Sequence, residues 1–193
     1  MLDRWIERKE QLKGTGKPFW SSAKARYCTS DLKAQPINNY LRQFTNVISV
    51  EGIRWEESKA RSEKERFKIR TEIATKKRNA FTWNAIIDYT IDDVWATYGM
   101  CQKKLKEAYS FYLKNKIIPE WWSFHPAYAM GNTRLSCAIC VLGNKNDVLN
   151  GIRHNPDIAD EMEKLEVESG FSFKQGFSIT QGKQILKQNL TIF

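Results

Sequence analysis

The sequence predicts an α/β fold: part of a parallel-sheet domain with flanking helices and an irregular, cysteine-bearing C-terminal region. Three observations predict it. Val47-Ile-Ser-Val is a short β-branched run of the kind that fills a buried parallel strand, and it empties into a charged loop, Glu51-Gly-Ile-Arg-Trp-Glu-Glu-Ser-Lys-Ala-Arg61. Apolar residues recur at helical spacing before it (Ile37, Tyr40, Leu41, Phe44) and after it (Leu105, Ala108, Tyr109, Tyr112, Leu113). Beyond Pro119, a run rich in aromatic and small residues leads to Cys137 and Cys140.

Each element has its own local cause. Residues 2–13 read as a charged helix ended by Gly14, and Gly14 to Trp20 is a turn-rich loop. Its Gly16-Lys17 pair does not make a phosphate loop, because Gln11 stands where the first glycine belongs and Pro18 replaces the Ser or Thr. Thr29 or Ser30 is expected to cap the next helix, with Pro36 in its first turn or at a kink. The Val47–Val50 strand is expected to be buried, and residues 59–78, dense in Lys, Arg and Glu, to be a solvated segment. Phe81-Thr-Trp-Asn-Ala-Ile-Ile resumes an extended pattern. Thr90 with Asp93 forms a capping box for a helix whose apolar face is Val94, Trp95 and Tyr98. The Leu105–Leu113 stripe belongs to the core. A later helix starts at Asn155-Pro156 and ends at Gly170, with Ile158, Met162 and Leu165 inward.

The bulk composition bounds the function. A chain of 193 residues suffices for one domain with a real core, and 41% hydrophobic and 27% charged residues exclude general disorder. Lys and Arg outnumber Asp and Glu 31 to 22, and the resulting +9 favours anionic partners: nucleotides, sulfate esters or nucleic acid. Basic residues interleaved with Trp and Phe would serve phosphates and stacked bases, although they are equally a solvated basic surface. No run approaches a membrane span and the N-terminus has no signal-peptide core, so the expected location is cytoplasmic, with no membrane partner. In a reducing compartment the four cysteines are metal-binding, catalytic or buried rather than paired.

Two thiolates at the spacing of Cys137 and Cys140 converge on one soft metal centre, and a third from a distant turn, such as Cys28, completes an iron–sulfur or zinc site. The same spacing also suits a redox dithiol or two unrelated core cysteines.

Three segments stand in order: Arg26-Tyr-Cys-Thr-Ser-Asp-Leu-Lys33, Gly52-Ile-Arg-Trp-Glu-Glu-Ser-Lys-Ala-Arg61, and His125-Pro-Ala-Tyr through Arg134 to Cys140. With Asp88-Tyr-Thr-Ile-Asp-Asp-Val-Trp95 they resemble the C-terminal half of the phosphoadenosine phosphosulfate reductase family, within the adenine-nucleotide alpha-hydrolase superfamily. The resemblance covers residues 1–150 as a family-like core and leaves 151–193 as a C-terminal helical extension of a single domain over 1–193. It implies a phosphoadenylyl-sulfate reductase-like oxidoreductase or sulfurtransferase. Arg54, Ser58 and Arg61, with Lys33 and Arg26 as weaker candidates, would hold the sulfate or phosphate end of an adenylyl sulfate or ATP-type nucleotide. Two guanidiniums and a hydroxyl suit tetrahedral oxyanions; the same arginines can instead pair with Glu56 and Glu57 at the surface. The resemblance also implies an iron–sulfur cluster, of the 4Fe-4S type, on Cys28, Cys137 and Cys140, with Cys101 or His125 as a fourth ligand. Cys101 otherwise reads as a small buried hydrophobe and His125 as a packing residue. A thiol reductant such as thioredoxin is an implied partner.

Two departures from the family pattern shape the expectation. The Ser-Gly-Gly-x-Asp-Ser loop precedes the segment matching Met1, and no cysteine follows Cys140. The sequence therefore predicts a protein incomplete alone, needing an N-terminal half or a partner subunit. Two other readings are a nucleic-acid-binding component of a DNA sulfur-modification system and a degenerate non-catalytic fragment.

Overall fold

A computed structural model describes residues 2–190. Along the chain run α1 (Leu2–Gln11), α2 (Tyr27–Thr29), a π-helical turn (Ser30–Ala34), α3 (Gln35–Leu41), β1 (Asn46–Glu51), a 3-10 turn (Trp55–Glu57), α4 (Lys59–Ser62), β2 (Phe67–Ile69) and β3 (Asn79–Asn84). There follow α5 (Ile91–Thr97), α6 (Gln102–Asn115), α7 (Pro126–Ala129), α8 (Lys145–His154), α9 (Pro156–Ser169) and α10 (Ile179–Leu190). Contacts gather them into two units: Thr29–Lys104, and the chain up to Cys28 together with the chain from Leu105 onward.

The Thr29–Lys104 unit is built on a three-stranded sheet of order β1-β3-β2. β1 and β3 run parallel, from Asn46 opposite Asn79 to Glu51 opposite Asn84, and β2 is antiparallel to β3. The α/β expectation is met. One face of the sheet is covered, where Val47, Ala80 and Ile73 pack with Leu41 and Ala74. The other is bare. Register places Ile48, Phe81 and Ile69 in one row and Val50, Trp83 and Phe67 in the next, and both Ile48 and Val50 are about 60% exposed. The expected two-sided burial of β1 is thus corrected. Only Val47 is buried in the β-branched run, because side chains alternate across the pleat and no described helix covers the second face.

Two further expectations in this unit are corrected. Residues 59–78 are not merely solvated: they contain α4 and β2, and Arg70 and Ile73 are buried. The Arg70 guanidinium donates to Glu51 Oε1 at 2.8 Å, to Thr82 Oγ1 at 3.2 Å and twice to Asn38 Oδ1, at 3.0 and 2.9 Å. One buried cation thereby ties α3, β1 and β3 together. The capping role given to Thr29 or Ser30 also fails. The chain is already helical at Tyr27 and Thr29 makes no side-chain capping bond. Pro36 lies in the first turn of α3, just after the π-helical turn, where its missing N–H is not needed. Of the apolar stripe, only Leu41 packs inward, while Ile37, Tyr40 and Phe44 are exposed.

The capping box of α5 is as read. The Asp93 N–H donates to Thr90 Oγ1 at 3.1 Å, and the Thr90 N–H donates to Asp93 Oδ2 at 2.8 Å. Trp95 is buried but Tyr98 is 64% exposed, so the apolar face of this short helix is narrower than its sequence suggests.

The second unit has its own core of Trp5 from α1, Phe19 and Trp20 from the following loop, Ile139, and residues of α8, α9 and α10. In α6, Ala108 and Tyr112 are buried and Leu113 is exposed. α9 begins at Pro156 and ends at Gly170, whose φ of 71° is the left-handed conformation that glycine favours. Met162 and Leu165 are buried as expected; Ile158 is 41% exposed, and Ala159 takes the inward place. The buried Glu166 carboxylate accepts the N–H of Ile179 at 2.8 Å and that of Phe173, fastening the 170–178 segment to the start of α10. Burial raises the Glu166 pKa from its ordinary value. No described helix is long and apolar enough to cross a membrane.

Candidate anion and cysteine sites

The charged loop leaves β1 at its carboxyl end, where open α/β sheets place their ligands. Trp55 pins it at both ends, its N–H donating to Ile87 O at 2.7 Å and its indole Nε1 to Lys64 O at 2.9 Å. On this frame the 3-10 turn puts Glu57 between two arginines. Arg54 Nη2 lies 3.6 Å from Glu57 Oε1, and Arg61 Nη1 pairs with Glu57 Oε2. Arg54 also reaches Glu56 Oε1, at 3.1 Å from Nη2 and 3.2 Å from Nε. Both arginines are thus engaged by the acidic side chains of their own loop. The spacing was visible in the sequence, since Glu57 stands three residues after Arg54 and four before Arg61. Ser58 is extended, with φ −175°, and its backbone carbonyl accepts the Arg61 N–H at 2.8 Å as α4 begins.

The Arg54 side chain is 15% exposed and that of Arg61 39%. Partly screened pairs of this kind contribute little to stability, roughly 0–1 kcal/mol each. Their significance is geometric: two guanidiniums converge on one carboxylate, and a tetrahedral oxyanion makes the same bidentate demand. Of the weaker candidates, Lys33 lies exposed in the π-helical turn of this unit, and Arg26 lies exposed before α2 in the other.

Cys28, Cys137 and Cys140 all belong to the second unit, and none of the four cysteines is in a disulfide. Cys28 sits in the first turn of α2 beside Tyr27, whose hydroxyl donates to Phe19 O at 2.6 Å and whose ring lies 5.2 Å below the Arg8 guanidinium. Burial raises the Tyr27 pKa. Cys137 is exposed and Cys140 half-buried. Ile139 between them is buried, and Ile139, Val141 and Tyr27 pack into the same apolar core, so the segments carrying Cys28 and the cysteine pair meet at one core.

The cysteine-pair loop is tightly held. The Gly143 N–H donates to Cys140 O at 2.8 Å, and Arg134 donates to Leu142 O. Asp147, buried in the first turn of α8, accepts the Thr133 N–H at 2.9 Å and its hydroxyl at 3.0 Å. Gly151 of α8 faces the Ala138 carbonyl so closely that a Cβ there would overlap it. These fastenings depend on tertiary contacts that the sequence does not display. The Asn144–Asp147 spacing is a helix-start signal, and Asn144 does cap α8, receiving the Asp147 N–H at 2.8 Å.

Among the described residues no group of three or more His, Cys, Asp or Glu side chains is arranged to hold a metal ion. The thiols as they stand do not form a cluster cage. Cys101 is exposed, which corrects its reading as a buried hydrophobe, and it lies in the Thr29–Lys104 unit. It stands just before α6, at the end of a short loop. His125 caps α7, its Nδ1 accepting the Ala127 N–H at 3.2 Å.

No curated protein and no solved structure matches the chain. A family model does: the phosphoadenosine phosphosulfate reductase domain matches residues 3–110. That span includes Cys28, β1 with its Gly52–Arg61 loop, and the α5 capping box; Cys137 and Cys140 fall outside it. Since the match takes in more than half of the 193 residues, the chain belongs to the phosphoadenosine phosphosulfate reductase domain family.

Proposed function

We propose that this protein binds the sulfate or phosphate end of an adenylyl sulfate or ATP-type nucleotide at Arg54, Ser58 and Arg61, and that it acts in reductive or group-transfer chemistry of sulfur. Family membership sets the general area, nucleotide-dependent sulfur metabolism. The observation that carries the finer reading is the convergence of Arg54 and Arg61 on Glu57. In this reading Glu57 holds the two guanidiniums in register until the nucleotide's oxyanion replaces its carboxylate, and the Ser58 hydroxyl adds a neutral donor. Calorimetric titration with phosphoadenylyl sulfate, comparing the native chain with Arg54→Ala, tests it. Equal affinity would assign Arg54 to the surface.

Turnover belongs to a completed sheet. Among the described residues β1 pairs only with β3, and the apolar rows Ile48–Phe81–Ile69 and Val50–Trp83–Phe67 are largely exposed. All-parallel sheets are covered on both faces almost without exception, and the parallel β1–β3 pair here has cover on one face alone among the described residues. A further α/β segment carrying the phosphate-cradling loop, in the same polypeptide or another, would cover that face and give the bound nucleotide its orientation. The assay is sulfite release coupled to thioredoxin or glutathione, by this chain alone and with such a segment supplied. Robust turnover by the 193-residue chain alone would remove the requirement.

An iron–sulfur cluster on Cys28, Cys137 and Cys140 is part of the same proposal. The shared core beneath Tyr27, Ile139 and Val141 supports it, since it brings the segments that carry the three cysteines to one part of the second unit. Protein purified without oxygen should carry iron and sulfide, lost in Cys137→Ser. Stoichiometric zinc alone, or no metal, would refute the cluster.

A further inference from the structure

A cavity of about 380 Å³ opens in the second unit between α7, the loop that carries Cys137, and the end of α8. It falls within the roughly 300–1,000 Å³ span of small-molecule sites. Its wall contains no Lys, Arg, Asp or Glu. Apolar surface comes from Pro126, Met130 and Leu135, and polar surface from carboxamides and both imidazoles of the chain.

The hydrogen bonds already made define what the wall has left to offer. Asn150 donates its amide to Met130 O at 2.8 Å and to Asn132 Oδ1 at 3.0 Å. Asn155 donates to Gly151 O at 2.9 Å. The Asn132 amide and the Asn155 carbonyl remain without a partner among the described residues. Because His125 Nδ1 accepts the Ala127 N–H, its proton resides on Nε2, a further donor. His154 Nε2 shares a hydrogen bond with the Tyr112 hydroxyl at 3.0 Å, and partial burial, aided by Arg153, lowers its pKa and favours the neutral ring. The wall therefore presents the Asn132 amide and His125 Nε2–H as donors and the Asn155 carbonyl as an acceptor between apolar surfaces, beside the Ser136 hydroxyl and the Cys137 thiol, and carries no opposite charge for an ion.

We propose that this cavity is a binding site for an uncharged, planar nitrogen heterocycle of the purine-base class. A charged ligand would be desolvated there without a partner. A flat ring instead meets the apolar surface of Met130, Leu135 and Pro126 while its edge meets the carboxamides, the Asn132 amide donating to a ring nitrogen and the Asn155 carbonyl accepting from an exocyclic amine, the two groups that one Asn supplies in reading adenine. This site is separate from the anion-binding loop and does not rest on that reading.

The chain's two histidines both line the cavity, so every imidazole signal of the protein reports on it. The experiment is proton NMR of the full chain titrated with adenine and, separately, with sodium sulfate. Adenine should shift both histidine ring signals saturably, and sulfate should leave them in place. Ala138→Phe, which fills the cavity from an exposed wall position, should weaken the adenine response at least tenfold, as should Leu135→Trp at another exposed wall position, with unchanged urea midpoints certifying the fold. Arg54→Ala should change nothing, which separates this site from the proposed anion site. Unmoved signals at millimolar adenine, an equal response to sulfate, or undiminished shifts in both filled variants would overturn the proposal.

Discussion

Replacing Gly151 with alanine sets two effects of opposite sign against each other. In the interior of α8, alanine is favoured over glycine by roughly 0.5–1 kcal/mol, because glycine surrenders more backbone freedom on folding. The added methyl, however, would overlap the Ala138 carbonyl oxygen and stand 3.1 Å from both its carbon and Ile139 Cγ1. The first obstacle is backbone, which cannot swing aside as a side-chain end can. Overpacking of this kind costs typically about 1–3 kcal/mol. Setting the helix gain against that cost brackets the net loss at about 0–2.5 kcal/mol, and the backbone obstacle puts it near 1–2 kcal/mol. For a chain of this size that lowers the melting temperature by roughly 2–8 °C. The cysteine-pair loop should move with it, so alkylation of the exposed Cys137 should change in rate while that of Cys101 stays constant. Circular dichroism melts and mass spectrometry of the alkylated chain check both parts. A stabilised Gly151→Ala with unaltered Cys137 reactivity would refute the close approach of α8 to the loop.

Arg70→Met should destabilise the chain by about 3 kcal/mol in urea unfolding. It leaves Asn38, Thr82 and Glu51 short of partners, and the partial exposure of Glu51 keeps the loss at the low end of that for a broken buried pair. For His154, burial lowers the folded-state pKa, so the unfolded chain binds its proton more readily. The stability that the neutral ring contributes is present above the ordinary value of about 6.5 and is lost as pH falls below it, towards the lowered folded pKa. An NMR titration should place the His154 midpoint below that ordinary value; a midpoint above it would contradict the assigned environment.

The legible parts of this fold were those set by local chemistry. The capping box of Thr90 and Asp93, the proline start and glycine stop of α9, and the β-branched strand before the charged loop each follow from a few neighbouring residues. What did not show was set by tertiary context. Arg70 lies in a run of exposed charges, and only the meeting of α3, β1 and β3 makes it a buried fastening. Ile48 and Val50 have the composition of a buried strand, yet their exposure depends on whether a helix covers the second face. Cys101 has the side chain of a small core residue but lies exposed at the end of a short loop. In the candidate anion site the residue types were visible, and so was the pairing of Arg54 and Arg61 with acidic neighbours. The convergence of both on Glu57 needed the 3-10 turn, which no periodicity announces.

One titration tests most directly whether Arg54 and Arg61 converge on Glu57 to keep a place for the nucleotide. Phosphoadenylyl sulfate is added to the native chain, to Arg54→Ala and to Glu57→Gln, with heat of binding measured at low and moderate salt. Loss of a charge-assisted contact worth about 1.5–3 kcal/mol should weaken binding by Arg54→Ala roughly ten- to hundredfold. Removing the competing carboxylate in Glu57→Gln should tighten it, most clearly at low salt. Three equal affinities, or a Glu57→Gln that binds more weakly than the native chain, would show that Glu57 holds the arginines as a surface pair and does not keep a place for the nucleotide.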